Sequence, residues 1–248
     1  MEYRPQGFSF LPPIIKNLLI INGLMFMGTV VMGNMGFDFV KWFALYFPAS
    51  PNFMPHQLIT HMFMHGNFGH IFFNMFALWM FGTALENYWG GKRFLIYYMI
   101  TGLGAAALHL GVNYAEFEYY KSVLIDGGFS PADIQQLLAH GSWSEDLTAP
   151  RSAIEHFYNI YNAPTLGASG AVFGILLAFG MTFPNQYIYL YFLFPIKAKW
   201  FVIIYGGLEL INGVFGMSDG IAHFAHLGGM LFGYFLIKHW NRNRFRQW

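Results

Sequence analysis

The chain has no cysteine, and only 10% of its 248 residues are charged. Without cysteine there is no disulfide, no thiolate nucleophile and no Cys-based metal site. Soluble domains carry about 25% charged residues, so charge this sparse excludes an ordinary soluble domain. A formal net charge of +1 leaves no electrostatic footprint for nucleic acid. Internal repeats and low-complexity tracts are also lacking. Apolar residues are what the chain has in abundance: 56% are hydrophobic, and the mean hydropathy is +0.40. The reading is an all-α polytopic membrane protein, long enough for roughly six spans of about 20 residues and one sizeable loop.

The apolar runs place those spans at about 14–31, 58–82, 94–112, 167–183, 200–215 and 221–240. Residues 1–13 are mixed and proline-bearing, unlike a cleavable signal, and read as a short cytoplasmic tail. Residues 14–240 form the membrane domain, and 241–248 a basic cytoplasmic tail. The segment Phe37–Pro55 is too broken to span and is expected to lie on or in the outer leaflet. The long connection 114–164 is polar and acidic, with a helical piece expected at Pro131–His140. Tyr187–Lys199 reads as a short interfacial turn. Six spans put both termini and the turns at Lys92–Arg93 and Lys197–Lys199 on one side. Of the 13 Lys and Arg, only Lys41, Lys121 and Arg151 fall on the other side. The positive-inside rule makes the basic side cytoplasmic, so the acidic connection and the start of span four face outward.

Within this apolar frame a few polar residues stand out. Leu166–Gly174 reads Leu-Gly-Ala-Ser-Gly-Ala-Val-Phe-Gly and sets Ser169 at the head of an apolar helix. A serine there is either a helix cap or a nucleophile. Span six begins with His223 and His226, three residues apart and therefore on one helix face. Gly170 with Gly174 and Gly229 with Gly233 are small-xxx-small pairs, which let helices approach closely in lipid. Docked glycine to glycine, spans four and six bring Ser169 and a histidine to matched depth, as a Ser–His pair requires. His226 is the better base, being closer to the glycine contact; His223 is secondary. Asp219, about two turns before His226, is too distant to complete a triad, so a dyad is expected. The developing oxyanion needs donors, for which the Ser169 backbone N–H, His70 and Asn74 are available. The competing use of His61, His65 and His70 is a transition-metal site. No carboxylate lies within that cluster, so neither a metal nor any other cofactor is called for.

These residues resemble the rhomboid family of intramembrane serine proteases. The resemblance runs over roughly Pro55–Trp240. It rests on Gly167-Ala-Ser169-Gly170 and Ala225-His226-Leu-Gly-Gly229, with His61, His65, His70 and Asn74 in span two, then Gly82-x-x-x-Glu86-x-x-x-Gly90. It implies a six-transmembrane-helix bundle with the serine on helix 4 and the histidine on helix 6. It implies Ser169 as nucleophile and His226 as base, with His70, Asn74 and the Ser169 N–H as oxyanion hole. It also implies structural roles for His61, His65 and Glu86, an embedded first loop, and a cap before span six. The implied partners are the lipid bilayer and single-pass transmembrane substrates, cut beside a small residue near the outer face of an inner (cell) membrane. Two departures are visible. His56-Gln57 replaces the Trp-Arg often found in the first loop. Phe173 stands where tyrosine is frequent, and its ring is expected to pack on His226.

Overall fold

The computed structural model describes residues 8–144, 148–190, 193–215 and 222–244. The ends of both tails, residues 145–147 with Glu145 and Asp146, Asp219 and most of the segment before the last helix lie outside the described residues. The chain is mostly helical. Among the described residues the α-helices are α1 (Pro13–Asn34), α2 (Phe39–Phe43), α3 (Gln57–Thr60), α4 (Phe68–Trp89), α5 (Gly91–Asp126), α6 (Pro131–His140), α7 (Arg151–Asn162), α8 (Ser169–Thr182), α9 (Ala198–Phe215) and α10 (His223–Arg244). Among the described residues, α1, α4, α5 and α9 are long and apolar enough to cross a membrane. Between α8 and α9 the expected interfacial turn is a small antiparallel hairpin, β1 (Tyr187–Leu190) with β2 (Phe194–Lys197), registered Ile188 to Ile196.

Helix α8 is the centre of the bundle. Nine of its 14 residues are buried, five of them glycine or alanine, and Gly170, Gly174 and Gly180 lie on faces that meet α5, α9 and α10. A helix buried on nearly every side has no polar stripe to show, and α8 is apolar all round. By contrast α1 and α9 turn Leu24, Val30, Ile203, Leu208 and Ile211 outward, as lipid-facing helices do. The main core gathers Ile15, Leu78, Leu85, Phe94, Tyr97, Tyr98 and Ile175 from α1, α4, α5 and α8.

The second span differs from the expected 58–82. Residues 57–63 form α3 and a short 3-10 turn at His61–Phe63, the chain then extends, and α4 starts at Phe68. The reason is local: the Asn67 side chain accepts the His70 N–H at 2.8 Å and caps α4, as asparagine favours. His61 and His65 therefore precede α4 instead of lying inside it.

The third helix also outruns its expected end at 112. Helix α5 has 36 residues, about 54 Å at 1.5 Å per residue, against a hydrocarbon core of ~30 Å. Its C-terminal half is covered by α6 and α7. Together they bury Phe117, Leu124, Phe129, Ile134, Leu137, Ile154 and Phe157 in a second core that includes Phe47 of the first loop. The connection 114–164 is thus largely a small helical subdomain. Its α6 has the expected bounds, set by a Ser130–Asp133 capping box and a left-handed Gly141 at the C-cap.

Two contacts show which helix ends lie together. Glu86, late in α4, accepts the Ile14 and Ile15 N–H groups at the start of α1, at 3.0 and 2.8 Å. The Arg93 guanidinium near the start of α5 lies 4.3 Å from the ring centroid of Trp240, late in α10. The basic turn is therefore at one end of the bundle. The starts of α4, α8 and α10 are at the other.

Candidate active site

The segment leading into α8 is held from three directions. The Leu45 and Thr165 backbones exchange N–H to carbonyl bonds at 2.8 and 2.7 Å, joining it to the first loop. The Thr165 hydroxyl lies 2.8 Å from His109 Nε2 of α5. The Gly167 N–H donates to the His61 carbonyl at 2.9 Å. Gly167 itself has φ +135°, a conformation that L side chains rarely adopt. A Cβ placed on it would lie 2.9 Å from His70 Nε2 and 3.4 Å from Ser169 Oγ. Glycine thus leaves room for the His70 ring and the Ser169 hydroxyl to face one another across the turn.

Helix α10 reaches the same place through the glycines. A Cβ on Gly229 would fall on the Gly170 carbonyl, and one on Gly170 would fall on Ala105 of α5. Gly170 and Gly229 form the backbone contact between α8 and α10. Gly174 and Gly233 serve a different interface: their faces meet Thr101 and Tyr97 of α5, and the Tyr97 hydroxyl donates to the Gly174 carbonyl at 2.8 Å. The glycine-to-glycine docking expected of both pairs holds for Gly170 and Gly229 only. Gly174 and Gly233 instead fit α5, because Tyr97 and Thr101 fill the space that a second glycine contact would need.

At this contact His226 Nε2 lies 2.9 Å from Ser169 Oγ, a hydrogen bond between two largely buried groups. The Phe173 ring, one turn after the serine, stacks on the His226 imidazole at 4.1 Å and 9°. His226 Nδ1 lies 2.9 Å from Oε2 of Glu209 in α9, and His223 Nδ1 lies 2.7 Å from the same oxygen. The sequence reading missed Glu209. Along the chain Asp219 is the carboxylate near His226, whereas Glu209 comes from the neighbouring helix α9. The available signal was an acidic residue within an apolar run, Leu208-Glu209-Leu210.

The other singled-out histidines have separate surroundings. His61 Nδ1 lies 2.8 Å from the Gln57 carbonyl. His65 is fully buried, edge-on to His70 with centroids 5.0 Å apart. Its burial, and secondarily the charge of His70, push its pKa down to about 4. Asn74 donates to the His70 carbonyl at 2.9 Å, and its second amide hydrogen is available to another acceptor. Among the described residues, the side chains close enough together to hold a metal are Glu209, His223 and His226. Two ligands of a tetrahedral zinc, each about 2.1 Å from the ion, stand ~3.4 Å apart. The 2.7 and 2.9 Å separations are those of hydrogen bonds.

The Rhomboid domain model matches residues 52–240. The chain belongs to the rhomboid family. It is similar to the RHOMBOID-like protein 12, mitochondrial, of Arabidopsis thaliana, 28% identical over 77% of this chain and 48% of the relative. It is also similar to the Rhomboid protease AarA of Providencia stuartii, 27% identical over 72% of this chain and 55% of the relative. A third relative, the Rhomboid protease GluP of Bacillus subtilis, is 28% identical over 72% of this chain and 25% of its own length. The chain thus spans about half the length of the first two and a quarter of the third. As a rhomboid-domain protein with several membrane-length apolar helices, it is a multi-pass membrane protein.

The first-loop departure from the usual rhomboid pattern has a structural answer. Gln57 is fully buried and makes four hydrogen bonds. Its carbonyl oxygen accepts from the Tyr46 and Met54 N–H groups, and its amide donates to the Lys41 and Asn52 carbonyls. His56 Nε2 adds a 2.8 Å contact to the Trp42 carbonyl. This rhomboid loop is closed by a neutral amide saturating four backbone groups.

Proposed function

We propose that this rhomboid chain is an intramembrane serine endopeptidase. Ser169 is the nucleophile and His226 the general base, then acid; the 2.9 Å Oγ–Nε2 hydrogen bond is the observation that carries this reading. Ser169 Oγ attacks a substrate carbonyl as its proton passes to His226 Nε2. The oxyanion that forms is held by the Ser169 backbone N–H at the positive end of α8, by His70 across Gly167, and by the second Asn74 amide hydrogen. His226 then returns the proton to the departing amine. Water repeats the sequence on the acyl-enzyme, freeing the carboxylate product and Ser169. Glu86, His61 and Gln57 have structural duties, and Phe173 holds the imidazole plane.

The same reading makes the fold a six-span bundle in which α8 and α10 join α1, α4, α5 and α9. Helix α8 has 14 residues, about 21 Å at 1.5 Å per residue, so it falls ~9 Å short of the hydrocarbon core. With its far end at the cytoplasmic surface, Ser169 sits that depth below the outer surface. Both termini are cytoplasmic and the site opens outward, in agreement with the basic residues at the opposite end of the bundle. The substrates are single-pass proteins whose helix unwinds at the outer face beside a small residue.

The test is proteoliposomes holding the full chain and a panel of labelled single-span substrates. Wild type is expected to cleave at least one, and Ser169→Ala none. Persistent cleavage by Ser169→Ala overturns the assignment. Failure of wild type on every substrate favours the second reading, a catalytically silent rhomboid-like binder of membrane proteins.

A further inference from the structure

Glu209 is 9% exposed, while Leu208 and Leu210 on either side of it are half exposed along α9. A carboxylate within an apolar span is costly unless partners or water meet it, so its presence calls for a task. Its Oε2 meets two imidazole nitrogens, His223 Nδ1 at 2.7 Å and His226 Nδ1 at 2.9 Å. A carboxylate only accepts hydrogen bonds, so both Nδ1 atoms carry hydrogen in this arrangement. For His226 the consequence is chemical. With hydrogen on Nδ1, the neutral ring presents the lone pair of Nε2, and Nε2 faces the Ser169 hydroxyl at 2.9 Å. That is the tautomer a general base needs.

We infer that Glu209 completes a Ser169–His226–Glu209 array as a positioning residue, with His223 as the second anchor of its carboxylate. The inference rests on the protease reading above and adds a member to it. During attack the Ser169 proton moves to Nε2 while the Oγ–carbonyl bond forms. The resulting imidazolium then lies against the Glu209 carboxylate, which keeps its charge throughout. When the C–N bond breaks, the Nε2 proton leaves with the amine, and the Nδ1 hydrogen stays where Glu209 holds it. His223 approaches from the same helix as His226, three residues earlier. Its N–H keeps Oε2 from rotating away, and Gly213 in α9 would bring a Cβ within 3.3 Å of the His223 Cβ, so the two helices are close there. Phe173 fixes the plane of the His226 ring by stacking; Glu209 fixes its rotation and tautomer. Three different helices thus constrain one imidazole: α8 through Ser169 and Phe173, α9 through Glu209, and α10 through its own backbone.

The experiment uses the full chain in lipid nanodiscs, with Ser169→Ala, Glu209→Gln and Glu209→Asp beside wild type. Three quantities are read: cleavage kinetics, thermal midpoint, and the ¹⁵N resonances of histidine-labelled protein, with the His226 signals assigned through His226→Gln. Wild type is expected to show hydrogen on Nδ1 of His226. Glu209→Gln is expected to shift the population toward the Nε2-protonated form and lower kcat by roughly 10²–10⁴, the scale on which a lost orienting carboxylate acts in serine proteases. KM should stay within about threefold, since substrate does not touch Glu209. Glu209→Asp keeps the charge one methylene short and should recover part of the rate together with part of the Nδ1-protonated population. If Glu209→Gln does not fold, Glu209→Asp decides by the same two readouts moving together. Wild-type His226 protonated at Nε2, or a Glu209 variant with wild-type kcat, overturns the inference while Ser169→Ala remains inactive. Activity surviving in Ser169→Ala sinks the protease reading itself, which is a separate outcome.

Discussion

Glu86 offers the sharpest test of how the bundle is held together, because its two bonds serve one purpose. Helix α1 begins at Pro13, so its first main-chain donors are Ile14 and Ile15, and both are satisfied by the Glu86 carboxylate at 3.0 and 2.8 Å. Hydrogen bonds to a charged group contribute about 1.5–3 kcal/mol each, and a carboxylate at a helix N-terminus adds ~0.5 kcal/mol. Ile15 is fully buried, so truncation leaves its N–H without water. Glu86→Ala is expected to destabilise by about 3–6 kcal/mol. For a chain of this size, 1 kcal/mol moves the thermal midpoint roughly 2–4 °C, giving a fall of about 6–24 °C. Glu86→Gln keeps one acceptor oxygen and should fall about half as far. Twelve residues separate Glu86 from Asn74 along α4, about 18 Å at 1.5 Å per residue, so turnover per folded molecule well below the midpoint should be that of wild type. The assay is thermal unfolding in nanodiscs, paired with activity at low temperature. A midpoint shift of less than ~2 °C for Glu86→Ala would refute the reasoning, and so would lost turnover at unchanged stability.

Gly167→Ala places a methyl 2.9 Å from His70 Nε2 at a backbone φ of +135°. It should lose roughly 10²–10³ in kcat, the scale of one displaced oxyanion donor, with about 1–3 kcal/mol of strain visible in the melting curve. Gly229→Ala drives a methyl into the Gly170 carbonyl. The two helices must part, which separates Ser169 from His226, and fluorophosphonate labelling of the variant should fall at least tenfold. Phe173→Ala removes the ring stacked 4.1 Å from His226 and should lower kcat more than tenfold with KM little changed, read in the same cleavage assay. His65 has a folded pKa lowered from 6.5 to about 4. The unfolded chain therefore binds the proton first, and stability should be lost as pH falls from about 6.5 toward 4, by up to ~3 kcal/mol. His65→Phe should flatten that part of the melting profile against pH.

Much of the fold was legible because apolar runs report helices in lipid directly. The starts of α1 and α9 lie within two residues of expectation, and α6 agrees at both ends because Ser130, Asp133 and Gly141 are explicit start and stop signals. Where hydropathy alone was read, boundaries slipped. Leu58–Phe63 is apolar enough to pass for the start of a span, yet Asn67 is a better cap and sets the true start of α4. Beyond residue 112 the polar character of Tyr114–Asp126 hid a helical face, Phe117 and Leu124, that only α6 and α7 could bury. At the candidate site, glycine spacing announced that Ser169 and His226 share a depth, and they lie 2.9 Å apart. Glu209 was not announced in this way, because its partners are 14 and 17 residues away and only the packing of α9 on α10 joins them.

The central claim is that His226 makes Ser169 a nucleophile. The most direct measurement is labelling of the full chain with a fluorescent fluorophosphonate, in lipid and in detergent, beside Ser169→Ala and His226→Ala. Labelling of wild type alone is expected. No labelling of wild type in either medium, or labelling that survives in His226→Ala, would contradict it.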